Sequence, residues 1–384
     1  MIARTTAASA ALIAVSAVAA SAGGIERNPL NLAPLYEEGR YLELSAGLVF
    51  PNLEGSGGEV PAAFGGPAPL TGTTGNLLED YATFGLAYKG EISDRLSYAL
   101  FLSQPYGADT FYPAIPPTSA TDVNAVYGNS FADLDAYALT TLVAYDVTPR
   151  VKVYGGPVIQ LIEASAGLPF IPAGAAGSGY EVDAGQSFGF GAVVGASYSI
   201  PDIALRVGLT YKSSISHEFD TTETLGGVAV FESQTDIDTP QEVTLDFQTG
   251  IAQDTLLFGQ ARWVDWSEFE IAPPNYPLLA AGRPLVAYEE DWYTFTLGLG
   301  RRFTENWSGA LSATWEPATG AELTSLGPID GRIGITAGAT YENERFKITG
   351  GVNYSWLGDT FNVLETEYDG GTALGLGIRF GIKL

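Results

Sequence analysis

Residues 373–384 read Ala-Leu-Gly-Leu-Gly-Ile-Arg-Phe-Gly-Ile-Lys-Leu. In an extended chain, Leu374, Leu376, Ile378, Phe380, Ile382 and Leu384 share one face, and Gly375, Gly377, Arg379, Gly381 and Lys383 share the other, because side chains along a strand alternate between faces. One face is wholly apolar and the other is small or charged. A half-buried strand of a soluble sandwich gives the same pattern. The decision rests on how often the pattern recurs and on how the segments are joined.

It recurs along the whole chain. Phe346, Ile348, Val352, Tyr354 and Trp356 alternate with Lys347, Thr349, Asn353 and Ser355, and Leu205, Val207, Leu209 and Tyr211 alternate with Arg206, Gly208, Thr210 and Lys212. Fourteen such segments are predicted, at 41–50, 81–90, 95–105, 133–146, 150–163, 186–199, 203–218, 241–251, 254–267, 291–303, 306–316, 330–341, 346–358 and 371–384. About ten residues is enough for a tilted strand to cross the apolar core of a bilayer. Short connections such as Ser93-Asp94, Thr148-Pro149, Pro201-Asp202 and Gln253-Asp254 alternate with long ones near 51–80, 106–132, 164–185, 219–240, 268–290, 317–329 and 359–370. Placing every short turn at one end is what a bacterial outer-membrane barrel does. In hydrocarbon, no water satisfies a free backbone group, so the sheet must close, strand one onto strand fourteen. The predicted fold is an all-β, 14-stranded antiparallel transmembrane barrel. Trp292, Trp307 and Trp356, near strand ends, are placed for the membrane interface.

Composition excludes other classes. With 18 Lys and Arg against 44 Asp and Glu, the formal charge is −26, so binding nucleic acid through phosphate neutralisation is excluded. There is no Cys and a single His, His217, which removes disulfides, thiolate ligands and multi-His metal sites. No catalytic residue, metal or cofactor is assigned. Met1–Thr6 with Arg4, the apolar run 7–19 and Ala20-Ser21-Ala22 read as a signal peptide with its cleavage site. The predicted organisation is a signal peptide at 1–22, a segment at 23–39 ahead of the first strand and a barrel at 40–384, in an outer membrane of lipid and lipopolysaccharide. The excess acidity suits solvated loops, with divalent-ion bridging to lipopolysaccharide as the alternative.

Several short elements resemble, in order, the FadL/TodX family of outer-membrane transporters of long-chain fatty acids and other hydrophobic compounds. They are Arg27-Asn28-Pro29-Leu30, the run Leu96–Gly107 with its Tyr106-Gly107, Phe188-Gly189-Phe190-Gly191, Leu209-Thr210-Tyr211-Lys212-Ser213, Asp238-Thr239-Pro240-Gln241-Glu242, and Trp263–Phe269. The resemblance implies a lumen plugged by an N-terminal hatch containing Arg27, Asn28 and Pro29. It implies capture of a hydrophobic cargo between external loops and sideways release through a kink in strand three. The chain would act as a monomer. A gate at Ser103, Pro105, Tyr106 and Gly107 also has a local rationale, since proline lacks an N–H and disrupts a ladder and glycine permits unusual backbone geometry. The sequence alone equally allows strand three to stop there.

Apolar residues on expected external loops are candidates for first capture of cargo: Leu168, Phe170 and Ile171, then Phe219, then Leu278 and Leu279. Two departures from the family stand out. Residues 23–39 are shorter than the usual hatch, and the end of strand five, Gln160-Leu161-Ile162-Glu163-Ala164, carries no cation where the family holds a carboxylate. Lys212 and Arg332 are the candidate head-group contacts in the lumen, and a neutral cargo is the other reading. A polar-solute porin is the alternative function. A barrel hydrolase would need His217 as its base and has no nucleophile motif.

Overall fold

The computed structural model describes residues 25–60, 68–171, 179–227 and 229–384. The expected signal peptide and part of the connection expected at 164–185 lie outside them. Fourteen strands form the wall. They are β1 (Tyr41–Ser56), β2 (Tyr81–Ser93), β3 in two pieces (Leu96–Ser103 and Gly107–Phe111), β4 (Phe131–Thr148) and β5 (Val151–Leu168). Next come β6 (Tyr180–Ile200), β7 in two pieces (Leu205–Lys212 and Ile215–Leu225), β8 in two pieces (Ala229–Thr239 and Glu242–Ala252) and β9 (Thr255–Val264). The last are β10 (Trp292–Arg302), β11 (Trp307–Glu316), β12 (Arg332–Glu342), β13 (Phe346–Leu357) and β14 (Glu367–Lys383).

Each strand pairs antiparallel with its neighbours, and β1 closes the sheet along β14, from Tyr41↔Lys383 to Phe50↔Leu374. The closure seam shows why glycine sits on the inner face of β14. A Cβ at Gly381 would lie 2.0 Å from the Tyr41 hydroxyl, and Tyr41 is fully buried there. The outer face keeps the greasy stripe in the open: Leu297 and Ile378 are each 55% exposed, as the outward apolar band of a transmembrane barrel requires. The short turns share one end; in the turn between β8 and β9, Asp254 takes φ +56°, a conformation Asp tolerates.

Two sequence expectations are corrected. Residues 219–240 are not an irregular loop. Ile215–Leu225 and Ala229–Thr239 pair as a hairpin that extends β7 and β8 upward. Its outward positions Glu218, Asp220, Asp236 and Asp238 are exposed while Phe219 and Ile237 are buried, so water rather than lipid meets its outer face. Of the three Trp placed at the interface, Trp307 and Trp356 are half-exposed on the wall, but Trp292 is buried among loop aromatics.

The inside of the barrel is divided. Its upper half, under the long loops, holds an apolar cluster that includes Ile25, Leu134, Ala166, Phe219, Trp266 and Tyr288. Its lower half is lined by ion pairs and threonines, with a smaller apolar cluster around Leu35 of the N-terminal segment.

Candidate functional site

β2 and β3 pair from Ser93↔Leu96 to Leu86↔Leu102 and then part. Eight residues further on in each segment the chain meets again, at the bridge between Leu78, just before β2, and Thr110. The register is therefore unchanged across the break, and the wall opens locally. Pro105 explains why, since it offers no N–H to a neighbour. The edge of β3 that faces β2 is served instead by the N-terminal segment. Arg27 N–H donates to the Pro105 carbonyl at 2.9 Å, Asn28 N–H to the Gln104 carbonyl at 3.0 Å, and Gly107 N–H to the Ile25 carbonyl at 2.8 Å. Glu26 and Tyr106 form an antiparallel bridge.

Two side chains span the break. The Gln104 side-chain oxygen accepts from Phe84 N–H of β2 at 2.9 Å. The Arg27 guanidinium pairs with Asp109 of β3 and lies 4.1 Å from the centre of the Tyr81 ring of β2, so it touches both lips. Glycine is required at 107: a Cβ there would fall 2.2 Å from Arg27 Nε.

Beside the break, in the upper lumen, is an apolar cavity of about 50 Å³. Ile25 and Ala108 form its side toward the break, Leu134, Ala164, Ala166 and Val182 its wall, and Ile271, Leu285, Val286 and Tyr288 its roof. Among the described residues no Lys or Arg lines it, and its one ionisable carboxylate is Asp133. The roof is fixed by a short pairing of Glu270–Ile271 with Val286–Ala287 and by Thr324, whose hydroxyl donates to the Leu285 carbonyl at 3.1 Å. Aromatic rings run from the roof to the break: Tyr288 and Trp266 are 5.1 Å apart between ring centres, and Trp266 and Tyr106 are 6.0 Å apart.

Below, a polar cavity of about 320 Å³ is lined by Arg206, Asp246, Thr210, Gln260, Thr296 and Thr314 among others. The N-terminal segment crosses it, tied to the wall by Glu26 to Arg262 at 2.7 Å and Glu37 to Lys347 at 2.6 Å. Tyr36 stacks under the Arg206 guanidinium at 3.8 Å.

The structure places the sequence candidates as follows. Ser103, Pro105, Tyr106 and Gly107 are at the break, and Arg27 and Asn28 fill it, with Pro29 following into the polar cavity. Leu168 and Ile171 are buried and Phe170 is partly buried, all packed in the loop core, and Phe219 is fully buried facing the upper lumen. Leu279 packs partly against the same cluster, while Leu278, 80% exposed, is open to solvent. Lys212 is buried with Nζ 3.1 Å from the Tyr106 hydroxyl, and Arg332 pairs with Glu316 at 3.2 Å. Neither reaches the lining of the apolar cavity. His217 is buried with Nε2 3.0 Å from the Gln160 side-chain oxygen and 5.9 Å from the Phe219 ring centre. Sequence reasoning missed Gln104, Asp109, Tyr81 and Tyr288. For Gln104 a signal existed, since it adjoins Pro105 and a long amide beside a broken ladder is a ready substitute for a backbone group.

The sequence pattern of one family, described as "Outer membrane protein transport protein (OMPP1/FadL/TodX)", matches residues 2–370. No curated protein matches the chain in sequence. In solved structures the chain is similar to a Pseudomonas aeruginosa FadL homologue (TM-score 0.72, 12% identity, 91% of this chain and 92% of that one). It is also similar to the Pseudomonas putida toluene transporter TodX (0.64, 13%, 96% of each) and to the Ralstonia pickettii toluene transporter TbuX (0.63, 14%, 95% and 96%). At such identities these likenesses establish the barrel.

Proposed function

The chain belongs to the outer-membrane transport protein family (OMPP1/FadL/TodX), and on that premise we propose that it carries compact, uncharged hydrophobic molecules through the cavity beneath its loops and releases them sideways through the break between β2 and β3. The observation that carries this reading is the adjacency to that break of an apolar cavity lined by no Lys or Arg among the described residues, with Ile25 and Ala108 forming the shared wall. An apolar molecule gains about 0.8 kcal/mol per CH₂ by staying out of water. From this cavity the polar lower lumen leads back into water, whereas the break leads to hydrocarbon.

A carboxylate cargo is disfavoured. A buried anion needs a cation or several donors, and here Lys212 and Arg332 are engaged elsewhere while Asp133 would repel it. Residues 23–39 act as the hatch, shorter than usual but tied to the wall through Glu26 and Glu37, and residues 1–22 direct export. Related transporters act on toluene, a molecule of the class proposed.

Uptake into cells with and without the protein tests this, using toluene and benzoate as a matched neutral and anionic pair. Faster entry of toluene alone is the expected result. Faster entry of benzoate, or of neither, would overturn the assignment.

A further inference from the structure

The cavity is apolar but its roof holds a hydroxyl that the fold leaves unused. Tyr288 is 2% exposed and its OH has no hydrogen-bond partner among the described residues. The OH faces the floor of the last long connection but one: a Cβ built at Gly327, another cavity residue, would lie 3.6 Å from it. The threonine hydroxyls of the lining are engaged. Thr221 donates to Thr235 at 2.9 Å, and Thr324 donates to the Leu285 carbonyl. An unmade buried hydrogen bond destabilises a protein unless something completes it. Packing alone would be met by phenylalanine: the ring already contacts Trp266, Phe269 and Trp292 through its faces and edges.

We propose that Tyr288 is a polar subsite of the cargo cavity, donating a hydrogen bond to one uncharged oxygen on an otherwise apolar cargo, as in a ketone, ester or ether. The assignment rests on the reading of this cavity as the cargo site and narrows its substrate class. An acceptor oxygen fits because the phenol is a donor here. Burial pushes its pKa well above the ordinary tyrosine value, with no neighbouring charge contributing, so the proton stays on. A carboxylate does not fit, for want of a cation. A plain hydrocarbon leaves the hydroxyl unpartnered, and a site built to bond an oxygen discriminates against the analogue lacking it.

The test is equilibrium dialysis of the purified full chain in detergent micelles against empty micelles, with acetophenone and α-methylstyrene. The two ligands differ by C=O against C=CH₂ on the same skeleton. The wild type is expected to bind both. In Tyr288→Phe the ratio of their association constants, acetophenone over α-methylstyrene, should fall about tenfold, with α-methylstyrene held as well as before or better. Comparing ratios between the two proteins cancels the partition of each ligand between water and micelle.

A ratio unchanged by Tyr288→Phe overturns the subsite and means that the hydroxyl serves bound water. A second variant, Ala166→Leu, fills the cavity and separates this from failure of the underlying reading. If Ala166→Leu leaves α-methylstyrene binding intact, the cavity is not the cargo site and both fall. If it abolishes binding while the Tyr288→Phe ratio stays flat, the cavity stands and the subsite alone is lost.

Discussion

Replacing Arg27 by alanine should loosen the closure of the wall without unfolding the barrel. The side chain makes two contacts across the break. Its ion pair with Asp109 joins a guanidinium that is 6% exposed to a carboxylate that is 28% exposed. A fully buried charged hydrogen bond contributes up to about 3 kcal/mol, and the partial exposure of Asp109 reduces this to about 1.5 kcal/mol. The contact with the Tyr81 ring at 4.1 Å adds about 1 kcal/mol in a desolvated setting. Together about 2.5 kcal/mol of docking is lost, a rise of roughly 50- to 100-fold in the fraction of time that residues 25–28 stand away from β3, at about 1.4 kcal/mol per tenfold. The three backbone hydrogen bonds to Gln104, Pro105 and Ile25 and the Glu26–Arg262 pair remain, so the closed state still dominates. Amide hydrogen exchange at residues 27, 28 and 107 reads this fraction directly, because these three N–H groups make the closing bonds. Their exchange should accelerate by that factor, while amides in the β1–β14 seam keep their wild-type rates. Uptake of toluene should rise in parallel. Acceleration of less than about threefold, under the same estimate, would mean that Arg27 does not hold the break shut.

Three further outcomes follow from the same geometry. Gly107→Val places a side chain where Arg27 Nε now lies, so it should reproduce the exchange phenotype of Arg27→Ala, with an intact barrel by heat-modifiable gel mobility. Asn362, whose amide joins Tyr127, Ser325 and Tyr368 while its oxygen accepts from the Leu364 and Thr366 N–H groups, is the centre of a buried network linking three loops; Asn362→Leu should destabilise the loop cap by about 3 kcal/mol through groups left unpaired, seen as a drop in the protease resistance of the loops. Asp122 accepts from the backbone and hydroxyl of Thr118 and from Asn124, which hold its carboxyl below the usual carboxylate range; a lowered native pKa stabilises above the unfolded value and is lost as pH falls. Exchange protection in residues 118–127 should therefore decline from about pH 3.9 downward, and Asp122→Asn should flatten that dependence.

The wall was legible because lipid imposes a strict rule on every second residue. Leu374 to Phe380 and Tyr293 to Leu299 can face nothing but hydrocarbon, and their partners stay small or polar. The part of the hairpin beyond residue 218 escaped because it stands in water on one face. The hairpin's outward Glu218, Asp220 and Asp236 are polar, and so are inward Thr221, Glu223 and Thr235, so alternation disappears although the ladder continues. Pro105 announced a fault in the wall, being a backbone property of one residue. What fills that fault was not readable. Arg27 and Asp109 are 82 positions apart, and Glu26 and Arg262 are 236 apart, and no local pattern ties such partners together. Trp292 misled for a related reason: a tryptophan at a strand end suits the membrane interface and a loop core equally, and only the neighbouring Trp266 and Tyr288, delivered by the connection between β9 and β10, decide between them.

The polar lower lumen raises the competing possibility that water and small solutes pass through, and conductance discriminates. The lower cavity of about 320 Å³ would accept ions. A pore, however, needs continuity to the other side. Upward from that cavity the path meets Ile25–Asn28 fastened to β3, the Arg262 pair with Glu26, and then the aromatic block of Tyr106, Trp266 and Tyr288. No charged side chain is free in that block to replace the hydration of an ion, and stripping an ion without such replacement costs many kcal/mol. Planar bilayers containing the protein should therefore stay near baseline current in salt. Arg27→Ala should not change this, because it opens the wall toward lipid and leaves the aromatic block in place. Tyr106→Ala combined with Trp266→Ala, by contrast, should open a path for ions. A large steady conductance in the wild type would show that the lumen is continuous and would return the chain to the polar-solute reading.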